Sequence, residues 1–534
     1  MVSPMKRAFL AGLAAGGAAL VLSLVIRLTV GGVFLPELAA QTLFTLTPGS
    51  VESVAVENLR ALAKDSAFVG AVIMNAVLYG LIGVVYFRWR GLSGTGTRAE
   101  KILLSSFLAY FLLTIVGVAL FFTTQLQSSP VTLPELVVTL VPPQFVFGGV
   151  LIWLNGATPP VNPSDLCTVP AAKGKKSKKG KMYSRRRRLF IRNAVAAGVG
   201  AAILAYGVSI LLKPGPPKGP ATAPTAFLSQ TVTPTGQFYR VDVNIFPPSV
   251  NASSWSLAVS GLVSNPMTLS LSDLENMTTV EQYNTLECVS NFVAGNLIGT
   301  AQWTGVKLKD VLTNAGVQPS TQYIIFKAVD GYSVGIPIER AMQDGTLLAY
   351  EMNGAPLETE HGYPLRAIVP GLYGMNNCKW ITSIEAVNDT YEGYWQQRGW
   401  AEDAMYQTGS SIVIPGNEQV DSVFGISGTT AVDLGIVPVA GLAFAGDRGI
   451  SKVEISTDGG NTWTLASLID PLSNYTWVFW TAQWNPPAAG QYRLAVRATD
   501  GQGNVQTAQI NQPFPSGATG YDVVDISVSA TSAT

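Results

Sequence analysis

Histidine and cysteine are scarce in this chain. Its 534 residues include one histidine, His361, and three cysteines, Cys167, Cys288 and Cys378. A single histidine excludes a bis-histidine haem or a multi-histidine zinc site within the polypeptide, so no haem is expected. Three cysteines are too few for a disulfide framework, and each cysteine needs its own explanation.

Charged residues are also few, at 13% of the chain, and they are unevenly distributed. Residues 1–226 hold 22 Lys/Arg against 7 Asp/Glu, whereas residues 227–534 hold 12 against 27, a net charge of −15. Because the two halves have opposite charge, we expect them to lie in two different solvent environments. A chain of this length should form about three or four domains, since domains usually hold roughly 100–200 residues.

The first half contains apolar runs that resemble membrane-spanning helices. Each run approaches or exceeds the roughly 20 residues that a helix needs to cross a bilayer. Residues 1–160 are therefore predicted to form four transmembrane helices. Arg27 should reach the membrane interface, and Pro142 and Pro143 should kink the fourth helix. The four runs are residues 8–33, 67–87, 102–122 and 135–155.

Basic residues set the predicted orientation of these helices. Lys/Arg clusters fall on alternate loops, at residues 6–7, 88–101 and 173–192. Under the positive-inside rule these loops are cytoplasmic. Residues 161–188 then form a cytoplasmic basic loop and residues 189–212 a fifth transmembrane helix. We therefore expect a multi-pass cell-membrane protein whose second half lies outside the cytoplasm.

Two interpretations fit the start of the fifth helix. The segment RRLFIR at residues 187–192 resembles a twin-arginine export signal. Equally, the positive-inside rule alone produces basic clusters at a membrane face. Both interpretations give the same topology. A Pro-rich linker follows at residues 213–232 and should be extended and semi-rigid.

The second half divides by its pattern of strands and helices. Residues 233–405 mix strand-like runs such as YIIFKAV with helical runs such as Leu308–Ala315, which predicts an α+β domain. Residues 406–534 hold short alternating strands with Asp-Gly turns, which predicts an immunoglobulin-like all-β sandwich. The predicted fold is multi-domain, with transmembrane α-helices, an α+β domain and a C-terminal sandwich.

Cys288 is the first candidate for chemistry. It lies in YNTLECVSNFVAGNLIGTAQWTGVKL, after an apparent strand and before a Gly-containing loop. Although a lone cysteine is more often a small buried hydrophobe, this arrangement presents a side chain at a rim. A thiolate in such a place suits a soft or high-valent metal, with a cofactor doing the redox work.

Several segments of residues 233–534, taken in order, resemble the sulfite oxidase and molybdopterin-binding oxidoreductase family. They are TPTGQFYRVD, WSLAVSGLVSNPMTLSLSDL, LECVSN with WTGVKLKDVL, DGYS, LLAYEMNGAPLETEHGYPLRAIVPGLYGMNNCKWI, GYWQQRGW, GISKVEISTDGGNTW and RATDGQGN. The resemblance implies a molybdopterin-binding catalytic domain at 233–405 and a dimerisation sandwich at 406–534. It also implies one Mo-molybdopterin per chain and two-electron oxygen-atom transfer.

The resemblance also assigns site residues. Cys288 matches the cysteine that ligates molybdenum beside the two dithiolene sulfurs of the cofactor. His361 and Arg366 match positions that hold the pterin and its phosphate, and a guanidinium suits a phosphate. Because the resemblance assigns the metal to Cys288, Cys378 is interpreted as a packed thiol, and a disulfide between the two would abolish the site. Further implied cofactor contacts are Tyr239, Arg240, Asn291, Gly374, Met375, Asn376 and Lys379.

Departures from the family pattern bear on the substrate. Sulfite oxidases have an arginine after the first aromatic pair, an Arg pair after CxxN, and a tyrosine after the WQ segment. Those places here hold Val241 or a shifted Arg240, Phe292 with Val293, and Trp400. Because an anion needs fixed cations, the sequence disfavours sulfite. A substrate pocket lined by Phe292 and Trp400 favours a neutral oxide such as a sulfoxide or N-oxide, and an oxyanion other than sulfite stays open.

Alternatives remain open for the whole chain. It could be a non-enzymatic cell-surface binding protein with a vestigial cofactor site. The N-terminal helices could conduct electrons from quinone rather than only anchor the chain, and the acidic half could dock a basic redox partner or simply aid solubility. Without haem, electrons are exchanged with a separate carrier such as a cytochrome or quinone-linked protein. The resemblance implies a homodimer, and no nucleic-acid partner is indicated.

Overall fold

The computed structural model describes residues 4–29, 34–47, 61–92, 98–123, 133–155, 226–244, 246–416, 423–424 and 429–530. The chain divides into two units, one comprising Met1–Leu46 with Ala61–Lys213 and the other Thr47–Arg60 with Pro214–Thr534. Three sequence predictions lie wholly or mostly outside the described residues, namely the basic loop at 161–188, the fifth helix at 189–212 and the linker at 213–232, of which only residues 226–232 are described.

The first unit is helical throughout its described residues. Within the described residues, all four apolar runs of the sequence lie in helices, and a short additional helix at Leu35–Leu46 was not predicted. Two segments are long and apolar enough to cross a membrane, Met5–Arg27 and Ser66–Arg88, and Thr139–Leu154 is a shorter apolar segment. The helices are α1 (Pro4–Thr29), α2 (Leu35–Leu46), α3 (Ala61–Leu92), α4 (Arg98–Thr123) and α5 (Leu133–Asn155).

Glycine and one ion pair shape the packing of these helices. A Cβ atom at Gly12 of α1 would lie 2.6 Å from the carbonyl oxygen of Tyr79 in α3, so only glycine permits this close approach. Arg27, expected at the membrane interface, donates to the buried carboxylate of Glu37 at 2.8 Å. A charge held among helices is stabilised by such a partner. The helix α5 continues through Pro142 and Pro143.

The second unit begins with a mixed α/β domain, as predicted. One sheet has the strand order β2-β1-β10-β5-β6, with β1 and β10 parallel, and the other has the order β3-β4-β7-β8, with β9 also paired to β7. Its elements are β1 (Leu257–Gly261), β2 (Met267–Leu269), α6 (Leu271–Glu275), β3 (Thr279–Glu287), β4 (Ile298–Lys307), α7 (Leu308–Ala315), β5 (Tyr323–Ala328), β6 (Ser333–Pro337), α8 (Ile338–Ala341), β7 (Leu347–Met352), β8 (Ala355–Pro356), β9 (Arg366–Ile368) and β10 (Ile381–Val387).

The helix α7 shows how the sequence builds this domain. Its apolar positions Leu308, Val311, Leu312 and Ala315 fall on one helical face and are buried in the main core. Gly316 ends the helix with a φ of 67°, a left-handed conformation that glycine adopts without strain. The helix occupies the residues predicted for it.

The C-terminal part of the second unit is a β-sandwich, which confirms the prediction. Its sheets have the orders β11-β13-β17-β16 and β12-β19-β18-β14-β15. Trp480, Val453, Val496 and Ile526 are among the residues of its core. The strands are β11 (Gly409–Ile414), β12 (Ala431–Asp433), β13 (Val437–Phe444), β14 (Ile450–Ser456), β15 (Thr464–Leu465), β16 (Ser467–Leu468), β17 (Val478–Trp484), β18 (Gly490–Asp500) and β19 (Asp522–Ser529).

Strand β3 joins the mixed domain to the sandwich. The backbone N–H of Thr285 donates to the carbonyl oxygen of Tyr475 at 2.9 Å. The N–H of Trp477 donates to Oγ1 of Thr285 at 2.9 Å, and Oγ of Ser473 donates to the carbonyl of Tyr283 at 2.7 Å. The end of β3, where Cys288 follows, is therefore held from both domains.

Candidate active site

A cavity opens beside the end of β3. Its empty volume is about 990 Å³, including open solvent at the mouth. Five chain segments bring side chains to it, and Asp330 and Tyr332 add two more from the turn between β5 and β6. The lining residues of the five segments fall within 238–243, 286–290, 361–366, 374–380 and 395–400.

Two thiols line this cavity. Cys288 is buried, and its Sγ lies 3.0 Å from Oγ of Ser290. Cys378 is 1% exposed, and neither cysteine forms a disulfide. Burial raises the pKa of Cys378 well above its ordinary value, which keeps that thiol protonated. Cys378 therefore has the character of a packed thiol, while Cys288 sits where a loop begins.

Arg366 places a buried guanidinium at the cavity. It is 5% exposed, and its Nη1 donates to the carbonyl oxygen of His361 at 2.9 Å. Its Cζ lies 4.8 Å from the ring centroid of Trp303. Burial lowers the pKa of Arg366 to about 10, so the group stays charged at neutral pH. Its Nε has no hydrogen-bond partner within the described residues, which leaves a buried donor unsatisfied.

His361 is held in the neutral form. Burial, followed by the nearby charges of Arg366 and Lys379, lowers its pKa to about 4. Nε2 lies 3.1 Å from the carbonyl oxygen of Thr235. Because a carbonyl can only accept, Nε2 carries the proton, and Nδ1 is then an acceptor.

Asp242 organises two predicted cofactor contacts. Its nearly fully buried carboxylate forms ion pairs with Lys379 and with Arg240. Nζ of Lys379 also donates to the carbonyl of Glu360 at 3.1 Å and lies 4.5 Å from the ring centroid of Trp380. Burial lowers the pKa of Lys379. Sequence reasoning missed Asp242, although it stands two residues after the singled-out Arg240.

The structure brings eight of the twelve predicted site residues to this cavity. They are Tyr239, Cys288, His361, Arg366, Gly374, Met375, Lys379 and Trp400. The other four, Arg240, Asn291, Phe292 and Asn376, do not line it. Arg240 is directed to Asp242, and the buried amide of Asn376 donates to the carbonyl of Gly335 at 3.4 Å.

Phe292, predicted to line the substrate pocket, is not among the residues that line the first cavity. Phe292 lines a neighbouring cavity of about 540 Å³, together with Asn291. The backbone turns directly after Cys288, since the N–H of Asn291 donates to the carbonyl of Cys288 and that of Gly295 to the carbonyl of Phe292. This turn directs the side chains that follow Ser290 away from the first cavity.

Two aromatic side chains that line the cavity were not predicted from the sequence. Trp395 and Tyr332 line the cavity beside Trp400. The rings of Trp395 and Trp400 lie 6.5 Å apart, and the hydroxyl of Tyr332 donates to the carbonyl of Met375 at 2.6 Å. Trp395 belongs to the same GYWQQRGW segment as Trp400, so that segment carried a signal for both. Tyr332 lies in DGYS, one of the segments that resemble the family.

We predict an unusually acidic titration of His361 in protein prepared without cofactor. A single histidine gives one assignable set of imidazole NMR signals, and their midpoint should lie near pH 4. Because the unfolded histidine titrates near 6.5, the unfolded state binds more protons between these values. Folding stability should therefore fall by about 3 kcal/mol as the pH drops through this window. A folded-state midpoint near 6.5 would contradict the buried, neutral imidazole, and denatured protein serves as the reference.

Comparison with known proteins identifies the family of this chain. Residues 244–395 match the oxidoreductase molybdopterin binding domain, and residues 406–513 match the Mo-co oxidoreductase dimerisation domain. A sulfite oxidase of Arabidopsis thaliana is 30% identical over 284 residues, covering 46% of this chain and 72% of that protein. The mitochondrial sulfite oxidase of Macaca fascicularis is 31% identical over 326 residues, covering 54% and 59%.

A bacterial relative extends the comparison. An uncharacterized oxidoreductase of Bacillus subtilis (strain 168) is 34% identical over 148 residues, which is 28% of this chain and 73% of that protein. The chain spans 59% of the length of the mitochondrial sulfite oxidases of macaque and human. With its two matched domains in this order, the chain belongs to the sulfite oxidase family of molybdopterin-binding oxidoreductases.

Proposed function

We propose that this protein is a molybdenum-cofactor oxidoreductase that transfers an oxygen atom, with two electrons, to or from a small uncharged substrate. The observation that carries the proposal is the common cavity of Cys288, Arg366, His361 and Lys379. It combines a thiol with a guanidinium, a neutral imidazole and an ammonium group. This set offers one soft metal ligand and several donors for a phosphate.

The described residues fit the cofactor in two respects. The orphaned Nε of Arg366 is a buried donor that a phosphate oxygen would satisfy. The absence of a side chain at Gly374 lets two of the predicted pterin contacts lie together, since a Cβ atom there would lie 2.5 Å from the hydroxyl of Tyr239. Cys288 would ligate molybdenum, Arg366 and Lys379 would hold the phosphate, and Tyr239, His361, Gly374 and Met375 would contact the pterin. When bound, the cofactor supplies two-electron redox chemistry with oxygen-atom transfer.

Charge balance favours an uncharged substrate. Among the described lining residues the cations are Arg366 and Lys379, and they are opposed by Asp242 and Asp330. His361 adds no charge at neutral pH because its pKa is about 4. The cavity therefore has no surplus of positive charge to attract an anion such as sulfite.

The aromatic wall supplies a further argument for the substrate class. The indole N–H of Trp400 is buried and has no hydrogen-bond partner within the described residues. An oxygen of an S=O or N–O group could accept from it, while the apolar faces of Trp395 and Val289 would contact the rest of the molecule. A sulfoxide or an N-oxide fits these groups.

The remaining parts of the proposal concern the whole chain. The apolar helices α1 and α3 support anchoring in a membrane, and the charge asymmetry supports a catalytic domain at 233–405 outside the cytoplasm. The sandwich, proposed to span 406–534, matches a dimerisation domain and supports a homodimer. Electrons would be exchanged with a separate carrier.

The metal content of the purified full-length protein tests the proposal. Produced in a host that makes molybdopterin, the chain should contain about one molybdenum per polypeptide, as measured by elemental mass spectrometry. A Cys288→Ser variant should lose the Mo–thiolate spectroscopic signature, while Cys378→Ser should keep it. A folded wild-type chain without molybdenum would instead support a non-enzymatic binding protein.

Substrate comparison tests the charge argument. With reduced benzyl viologen as electron donor, turnover of methyl phenyl sulfoxide or trimethylamine N-oxide should exceed turnover of sulfite measured with ferricyanide. A Trp400→Phe variant keeps the ring but loses the N–H, and should lower kcat/KM for the oxide about tenfold. Faster turnover of sulfite than of every oxide tried would make the protein a sulfite oxidase and refute the proposed substrate class.

Reporter fusions test the topology. Alkaline phosphatase fused after Thr534 should be active because it folds outside the cytoplasm, whereas green fluorescent protein inserted at about residue 170 should fluoresce. The reverse pattern would place the second half in the cytoplasm. Only one active reporter, either the phosphatase or the fluorescent protein, would place both positions on the same side and show that residues 189–212 do not cross the membrane.

A further inference from the structure

The loop between β3 and β4 is closed by one side chain. The N–H of Cys288 donates to the carbonyl oxygen of Leu297 at 2.9 Å. The N–H of Leu297 donates to Oδ1 of Asn291 at 2.9 Å. The N–H of Asn291 in turn donates to the carbonyl of Cys288 at 2.9 Å. Asn291 therefore ties the end of the loop back to the residue at its start.

The Nδ2 group of the Asn291 amide also forms a hydrogen bond. It donates to Oε1 of Glu287 at 2.8 Å. Glu287 precedes Cys288 on the chain, and its own backbone N–H donates to the hydroxyl of Tyr406 at 3.2 Å. The amide thus connects the residue before the candidate metal ligand with the far end of the loop.

Both polar atoms of the Asn291 side chain are already engaged within the loop. Asn291 does not line the cavity that Cys288 lines, and both functional atoms of its amide bond to protein groups. Gly295 packs against the amide from the loop itself, since a Cβ atom there would lie 2.3 Å from Oδ1 of Asn291. The family resemblance assigned Asn291 to cofactor contact, which these bonds do not favour.

We infer that Asn291 and Glu287 form a clamp that positions Cys288, and that Asn291 is a positioning residue rather than a cofactor contact. This inference rests on the proposed role of Cys288 as the metal ligand. A thiolate on a loose loop would sample many directions, whereas one held by buried hydrogen bonds is preorganised for the metal. The clamp fixes the backbone on both sides of the thiol.

Two substitutions made together can exchange the donor and the acceptor of the hydrogen bond between positions 287 and 291. In Asn291→Asp the acceptor for Leu297 remains, but the donor to Glu287 is replaced by a second carboxylate, so the two side chains repel. In Glu287→Gln the amide oxygen still accepts from Asn291, and the clamp should survive. In the double variant Asn291→Asp/Glu287→Gln the glutamine amide can donate to the aspartate, which restores the bond with donor and acceptor exchanged.

Reactivity of the thiol in cofactor-free, full-length protein gives the first readout. Alkylation of Cys288 by iodoacetamide at about pH 9, followed by mass spectrometry, should be about tenfold faster in Asn291→Asp than in the wild type. The double variant and Glu287→Gln should react at close to the wild-type rate. Cys378 is the internal reference for global unfolding, and Asn265→Asp is the matched control at an exposed asparagine.

The loaded protein gives the second readout. Asn291→Asp should retain molybdopterin but show an altered Mo–thiolate signature in X-ray absorption, and the double variant should regain the wild-type signature. Loss of the cofactor in both Asn291→Asp and the double variant, with unchanged Cys288 alkylation, would overturn the clamp and make Asn291 a cofactor contact. Wild-type protein that binds no molybdenum would refute the proposed function instead, and the alkylation series would still decide whether the clamp exists.

Discussion

The buried guanidinium of Arg366 constrains everything around the cavity. Removing a cation from water is costly unless other groups compensate it, and here burial lowers the pKa of the group to about 10 without removing its charge. Its described hydrogen bonds go to carbonyl oxygens of His361 and Asn377, and the ring of Trp303 lies beneath it. These contacts fix segments 361–366 and 377–379 against each other. A neighbouring anion would complete the compensation, which supports the proposal that Arg366 holds a phosphate.

The other charges of the cavity are balanced within the protein. Asp242 is bonded to Lys379, and Asp330 accepts from the amide of Asn244 at 2.9 Å and from the N–H of Tyr332 at 3.0 Å. Burial raises the pKa of Asp330 to about 6. At neutral pH the carboxylates offset the cations, and His361 stays neutral. This balance supports the proposal that the pocket holds an anionic cofactor at Arg366 and disfavours an anionic substrate.

Local patterns predicted the elements, and long-range bonds decided the details of the site. The helix at Leu308–Ala315 follows from its apolar spacing and from Gly316, which are both local. The position of Cys288 after a strand was likewise readable from the sequence. The direction of Phe292 was not, because it depends on hydrogen bonds of the Asn291 side chain and on the turn they hold.

Pairings between residues that are far apart along the chain could not be predicted from the sequence either. Asp242 and Lys379 are separated by 137 positions, so nothing local identified Asp242 as the group that holds a predicted cofactor contact. In the helical unit, α2 has only 12 residues, too few to stand out as a membrane span, yet it supplies the Glu37 partner of Arg27. Sequence reasoning recovered residues that act alone more readily than residues whose role depends on a partner.

The sandwich also contributes to the site. Strand β3 ends at Cys288, and its residue Thr285 is bonded through backbone and side chain to the 475–477 segment of the sandwich. Tyr406, at the start of the sandwich region, bonds the backbone of Glu287 and is itself held by the carbonyl contact to Arg448. The strand end and the loop that carry the thiol are therefore also hydrogen-bonded to the sandwich. Because the clamp within the loop and the bonds to the sandwich meet at Glu287, the direction of the Cys288 side chain depends on both domains together.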